Sequence, residues 1–205
     1  ATLEVTAVND APVITAQGSL STAEDNSLEI TLFDLTVTDV DNNYPADFTL
    51  TVLGGDNYTV ESATITPALN YTGELTVPVF VDDGEASDSL SNTFDLTVLV
   101  TPLNDAPVVS DIPGETILEG GSFATISLDN YVSDVETADG DIIWSPSGAT
   151  DLTVTITGRV ATIVAEENWH GSETITFTAT DTGDGSSPAL SDSDDVTFTA
   201  LPEAD

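Results

Sequence analysis

Cysteine, methionine and lysine are absent from these 205 residues, and Arg159 and His170 are the only arginine and the only histidine. Without thiols there are no disulfides, no soft-metal ligation and no cysteine chemistry, so the redox compartment is left open. One arginine against 37 acids gives a formal charge of −36. Such a chain cannot neutralise phosphates, which makes nucleic acid and anionic membrane surfaces poor partners, and no nucleic acid is expected. Long apolar runs are missing too. None approaches the roughly 18 residues of a membrane span, so direct membrane insertion is not expected. The shortage of imidazole, thiol and amine also removes most nucleophile, triad and phosphoryl-transfer schemes, leaving only a carboxylate pair on which to build catalysis. The reading is therefore a non-enzyme.

What is present is a repeat. The stretch NDAPV stands at 9–13 and again at 104–108, each time after an aliphatic residue. Sixteen acids fall in 9–103 and 20 in 104–205, so the charge belongs to both repeats and is not a tail. Around the repeats, apolar residues alternate with period two, rich in Thr and Val: LEITLF (28–33), FTLTV (48–52), ELTVPVFV (74–81) and TFDLTVLV (93–100) in the first. The second repeat has FATISL (123–128), DLTVTIT (151–157), VATIVA (160–165), ETITFTAT (173–180) and DVTFTA (195–200). Gly, Asp, Asn and Pro cluster between the runs, as turns require. About seven short strands per repeat predict an all-β chain of two tandem immunoglobulin-like antiparallel Greek-key sandwiches, with Val98, Val100, Phe177 and Ala179 in their cores and the neighbouring threonines facing solvent. The boundaries follow: repeat 1 over 9–103, repeat 2 over 104–205, and residues 1–8 (LEVTAV from residue 3) as the trailing strand of a preceding repeat or an N-terminal extension. The prolines at 12 and 107 make each linker short and stiff.

Polar positions recur in register as well. Glu24 matches Glu119, and Asp39 and Asp41 match Asp134 and Glu136, at an offset of 95; Asp83 matches Asp181 at 98, where NYTG (70–73) also matches NWHG (168–171). Calcium takes six to eight oxygen ligands, preferring carboxylates, with amide and backbone carbonyls completing the shell. Acids at i and i+2 after a strand, and an aspartate beside glycine at a strand end, are what such a site draws from loops. Any one of these loops alone reads as a solvated turn; the recurring set taken together reads as calcium ligation. Halophilic adaptation is the rival account of the charge. In NWHG, His170 stands where the first repeat has Thr72, which marks it as a surface turn residue. Trp169 pairs with Tyr71 as a structural aromatic over the core end. Trp144, Tyr44 and Tyr58 have no such match and are the first places to look for a sugar platform.

The order of these motifs resembles that of cadherin repeats: a glutamate near the end of the first strand, a D-x-D or D-x-E pair, ATDTG followed by SPALS, and N-D-x-P at the junction. The form NYTG, VFVDDGEASDS, LNDAPV resembles more closely the bacterial cadherin-like, dystroglycan-type repeats of secreted or cell-surface proteins and adhesins. The resemblance implies calcium at each junction. For the junction between the repeats it implies Glu24, Asn104, Asp105, Asp134, Glu136 and Asp181; for the one before repeat 1, Asn9, Asp10, Asp39, Asp41 and Asp83; and for one after repeat 2, Glu119. Two motifs depart from the family. Its D-R-E triplet is replaced by ALNYTG and EENWHG, where only Glu166 or Glu167 could substitute, and the linker lacks its leading aspartate. Both departures imply fewer ions and weaker binding, in the 10⁻⁴ to 10⁻³ M range of extracellular modules. The implied function is a rigid spacer or adhesive segment; a calcium-dependent polysaccharide-binding module and self-association with another copy are the alternatives.

Overall fold

The computed structural model describes residues 8–203 and divides the chain between Pro102 and Leu103 into two compact units. The strand expected at 3–8 falls almost wholly outside the described residues. The first unit has nine strands: β1 (Val13–Gln17), β2 (Leu20–Ala23), β3 (Leu28–Glu29), β4 (Leu35–Thr38), β5 (Thr49–Val52), β6 (Tyr58–Glu61), β7 (Thr64–Pro67), β8 (Gly73–Asp82) and β9 (Phe94–Thr101). The second repeats the series as β10 (Val108–Val109), β11 (Glu115–Leu118), β12 (Ile126–Ser127), β13 (Val132–Ser133), β14 (Ile143–Ser147), β15 (Leu152–Thr157), β16 (Val160–Ala165), β17 (Gly171–Thr180) and β18 (Ser191–Leu201). Among the described residues there is no α-helix, and so no helix long and apolar enough to cross a membrane.

Both units share one topology. A four-stranded sheet ordered β2-β9-β8-β5 faces a three-stranded sheet ordered β3-β7-β6, with β1-β4 as a separate pair; the second unit has β11-β18-β17-β14, β12-β16-β15 and β10-β13. The long central strands show why. In β8, Leu75, Val77, Val79 and Val81 are at most 1% exposed, and in β17 Ile175, Phe177 and Ala179 are fully buried, so each strand turns one face to the core. Val98, Val100, Phe177 and Ala179 lie in the cores as expected. Of their threonine neighbours, Thr97 and Thr101 face solvent, whereas Thr176, Thr178 and Thr180 are half-buried.

The structure departs from the sequence reading in three places. First, each sandwich contains one parallel pair, β2 with β9 and β11 with β18. In the first unit the chain leaves β4 at Gln17, whose side chain accepts from the Thr97 amide (2.7 Å) and donates to its carbonyl (2.8 Å), and continues beside β9 in the same direction. One expected strand thus becomes two, in different sheets. Second, LEITLF and FATISL are each a two-residue strand followed by a 3-10 turn, at Leu32–Asp34 and Leu128–Tyr131. The Asp34 carboxylate accepts from the Thr31 amide (2.7 Å) and hydroxyl (2.8 Å), a local contact that competes with the strand ladder. Leu128 instead donates its amide to the Arg159 carbonyl at 3.0 Å. Third, the aromatics proposed as a sugar platform are core residues. Trp144 and Tyr58 are buried, and Tyr44 packs edge-on against Phe48 with its hydroxyl donated to the Leu32 carbonyl. Alternation in β14 and β6 turned Trp144 and Tyr58 inward, and unmatched positions in the repeat comparison gave no sign of that. Tyr71 and Trp169 pack against the two cores, and the His170 side chain is 59% exposed.

Side chains hold the first strands in place. The Ile14 amide donates to Asn92 Oδ1 (2.9 Å), and in the second unit Val109 and Ile112 donate to Asp192 and Asp194 (2.8 Å each). Both tryptophans lie in the second unit, so indole fluorescence reports its unfolding alone. Phe177→Ala, removing a fully buried ring, is expected to destabilise that unit by about 3–5 kcal/mol in urea unfolding followed by this signal.

Candidate cation sites at the loop ends

In each unit the end at which β8 or β17 stops gathers three loops: the stretch before the first strand, the turn after β4 or β13, and the loop after β8 or β17. Antiparallel pairing of β1 with β4 (Val13 opposite Thr38) puts Asn9 and Asp39 at the same end, and Asp83 follows β8 there.

In the first unit, Asn9 Nδ2 donates to Asp83 Oδ2 (3.0 Å) and to the carbonyls of Ser87 (3.1 Å) and Asp88 (3.3 Å). The Asp10 amide donates to Asp41 Oδ2 at 2.9 Å. Asp39 Oδ1 accepts from the amides of Asp41 (2.8 Å) and Asn42 (2.7 Å), closing an Asx turn that fixes the D-V-D loop. Asp83, 4% exposed, also accepts from the Glu85 amide at 2.9 Å.

The second unit repeats the main contacts of this pattern. Asn104 Nδ2 donates to Asp181 Oδ2 (3.0 Å) and to the Pro188 carbonyl (3.3 Å). The Asp105 amide donates to Glu136 Oε2 (3.0 Å), and Asp134 Oδ1 accepts from Glu136 (3.0 Å) and Thr137 (2.6 Å). Asp181, 1% exposed, accepts from Gly183 (2.7 Å) and Leu190 (3.0 and 3.1 Å). Gly183 has a φ of +67°, and a Cβ there would stand 2.6 Å from the Ser187 carbonyl oxygen, so the turn that presents its amide to Asp181 needs glycine.

Five residues of each predicted set are thereby brought to one loop cluster. Glu24 is not among the first unit's five. It follows β2 at the opposite end of that unit, where its amide donates to the Thr101 carbonyl at 2.9 Å. Glu119 repeats the arrangement, its amide donating to the Leu201 carbonyl (2.8 Å), and its carboxylate lies 3.7 Å from His170 Nδ1.

The donor bookkeeping of the clusters is unbalanced. Asn9 Oδ1, Asp39 Oδ2 and Asn42 Oδ1 in the first unit, and Asn104 Oδ1 and Asp134 Oδ2 in the second, are buried with no hydrogen-bond donor. All five are acceptors. Asn42 was missed by the sequence reading although it follows Asp41 directly in TDVDNN; its counterpart is Thr137, so the repeat comparison did not mark it. Among the described residues no three Asp, Glu or His side chains are grouped as a metal site by themselves. Amide oxygens and carboxylates from separate loops make up the donor set instead, and its chemistry fits a hard cation.

Burial pushes the Asp181 carboxyl up, but hydrogen bonds from Asn104, Leu190 and Gly183 outweigh it and hold the group below the usual range. At Glu173, burial is likewise outweighed by the Thr150 hydroxyl and the amides of Leu152, Thr150 and Asp151. A depressed folded value gives stability that is present above the unfolded pKa and is lost as pH falls through the folded one. Indole fluorescence should therefore show the second unit losing stability as pH drops below about 4, and Glu173→Gln should flatten that dependence.

Comparison with known proteins agrees with this architecture. No curated protein sequence matches. Residues 9–97 match the family described as bacterial Ig domain. Among solved structures, human protocadherin-24 EC1-2 is similar with a TM-score of 0.61 and 18% identity, over 95% of this chain and 100% of that one. PcdhgB3 EC1-4 is similar with a TM-score of 0.54 and 19% identity over 95% of this chain, which spans 50% of its length. Human CDH23 EC21-23 gives 0.50 and 17% over 94% of this chain and 70% of that one. At these identities the likeness speaks for the fold. The chain is a tandem of two Ig/cadherin-like β-sandwich repeats, the first of which matches the bacterial Ig domain family.

Proposed function

We propose that the tandem is a calcium-binding module of a bacterial secreted or cell-surface protein, in which calcium at the loop ends orders the linker residues and stiffens the chain for adhesion or spacing. One observation carries this reading: the same two oxygens, the Asn Oδ1 and Asp Oδ2 of Asn9 and Asp39 and of Asn104 and Asp134, are buried without a donor in both repeats. Leaving a buried acceptor unsatisfied costs about 1–3 kcal/mol, and a cation offsets that cost at each of them. Asn9, Asp10, Asp39, Asp41 and Asp83, joined by Asn42, would supply the first set. Asn104, Asp105, Asp134, Glu136 and Asp181 would supply the second. Bound calcium supplies the positive charge that these carboxylates otherwise lack, and the linker residues Asn9, Asp10, Asn104 and Asp105 lose freedom on ligating it. The alternative of a polysaccharide-binding module is weakened by the burial of Trp144 and Tyr58.

Calorimetric titration should show calcium binding with Kd values on the order of 10⁻⁴ to 10⁻³ M. Asp134→Ala should abolish one class of sites and Asp39→Ala the other. Small-angle scattering should give a longer, narrower distance distribution in calcium than in chelator, while sedimentation at several concentrations separates stiffening from association of copies. Absence of binding at millimolar calcium overturns the reading and leaves the acidity to halophilic adaptation.

A further inference from the structure

Arg159 is the only residue in the chain after which a protease requiring lysine or arginine can cut. It sits in the two-residue turn between β15 and β16, with φ of +62°, next to Gly158 at +54°. Two positive φ values mark the tight hairpin turn that matches strand twist. Three bonds hold this one residue. Its Nε donates to both oxygens of Asp129 (2.8 and 3.0 Å), its carbonyl accepts from Leu128 (3.0 Å), and its flanking strands pair from Thr157–Val160 back to Leu152–Ala165. The contacts from Leu128 and Asp129 come from the 3-10 turn Leu128–Tyr131, whose Leu128 is fully buried.

We propose that Arg159 is a latched proteolytic site: the folded chain withstands lysine- and arginine-directed proteases, and cleavage waits for the 3-10 turn to release the hairpin. Such a protease must take the guanidinium into its specificity pocket and straighten several residues on either side. Both demands conflict with the contacts above. The 37% side-chain exposure of Arg159 shows that the block is conformational and does not come from burial. The reaction is hydrolysis of the peptide bond between Arg159 and Val160. Water adds its oxygen to the Arg159 carbonyl carbon to leave a carboxylate, protons go to the Val160 nitrogen, and nothing is oxidised or reduced. When opening is fast relative to cleavage, the rate follows the population of the opened state.

Trypsin digestion followed by intact mass tests this. A synthetic peptide of residues 153–165 supplies the unlatched control, because it carries the same Arg159–Val160 bond without the 3-10 turn Leu128–Tyr131. The expected result is cleavage of the peptide at least about tenfold faster than cleavage of the folded chain, which gives fragments 1–159 and 160–205 only slowly. Asp129→Asn should accelerate the Arg159 cut while indole fluorescence stays native, and Asp129→Glu should slow it again. Cleavage of the folded chain at Arg159 as fast as in the control peptide overturns the proposal without recourse to the Asp129 variants. A folded Asp129→Asn protein cut at the parent rate overturns the role given to Asp129.

Discussion

The scarcity of cations governs how every ordered carboxylate in this chain is held. With one guanidinium, already engaged by Asp129, acids in partly buried places must be satisfied by N–H donors, and the backbone is the main supply. Asp39, Asp134, Asp181, Asp192, Asp194 and Glu173 all accept from amides of the main chain. The acids are therefore parts of the turns and strand ends, which is why so charged a chain still folds into two ordinary sandwiches. Amides approach such carboxylates from particular directions only, and oxygens facing away from them are left over. Those leftover oxygens are where the proposed cation binds.

The two repeats serve as controls for each other. Contacts that recur, such as Asn to the aspartate after the long strand and amide to the D-x-D or D-x-E acid, are built into the design of the fold. Contacts that do not recur mark what each unit has acquired alone. Glu173, aligned with the buried Leu75, gathers the turn before β15 in the second unit only. Asn42 has its orphaned oxygen in the first unit only. These differences give two sandwiches of one topology distinct responses to acid and distinct donor sets at their loop ends.

Much of this was legible in the sequence, for identifiable reasons. Period-two alternation with Thr and Val placed the long strands β8, β9, β17 and β18, since burial on one face leaves that signature. The in-register acids marked the loop clusters, because geometry shared by diverged repeats shows as matched positions. Short elements escaped: a two-residue strand such as Leu28–Glu29 carries no periodicity, and the turn at Asp34 depends on a side-chain contact with Thr31. The split of the first strand between two sheets turns on Gln17, whose amide serves as a substitute ladder rung. The buried Trp144 was misjudged because an unmatched aromatic looks the same in sequence whether it faces in or out.

The clasp on the first strand shows how charge and shape come apart in this fold. Asn92 Oδ1 and Asp192 Oδ2 do the same task at 2.9 and 2.8 Å, and the amide's own donors reach nothing nearer than 3.4 Å. An acceptor oxygen is all the position demands, so asparagine and aspartate are interchangeable there at nearly constant geometry. Net charge can therefore change at such a position by exchange of an amide for an acid, while the hydrogen bond that clasps the first strand is carried forward unchanged.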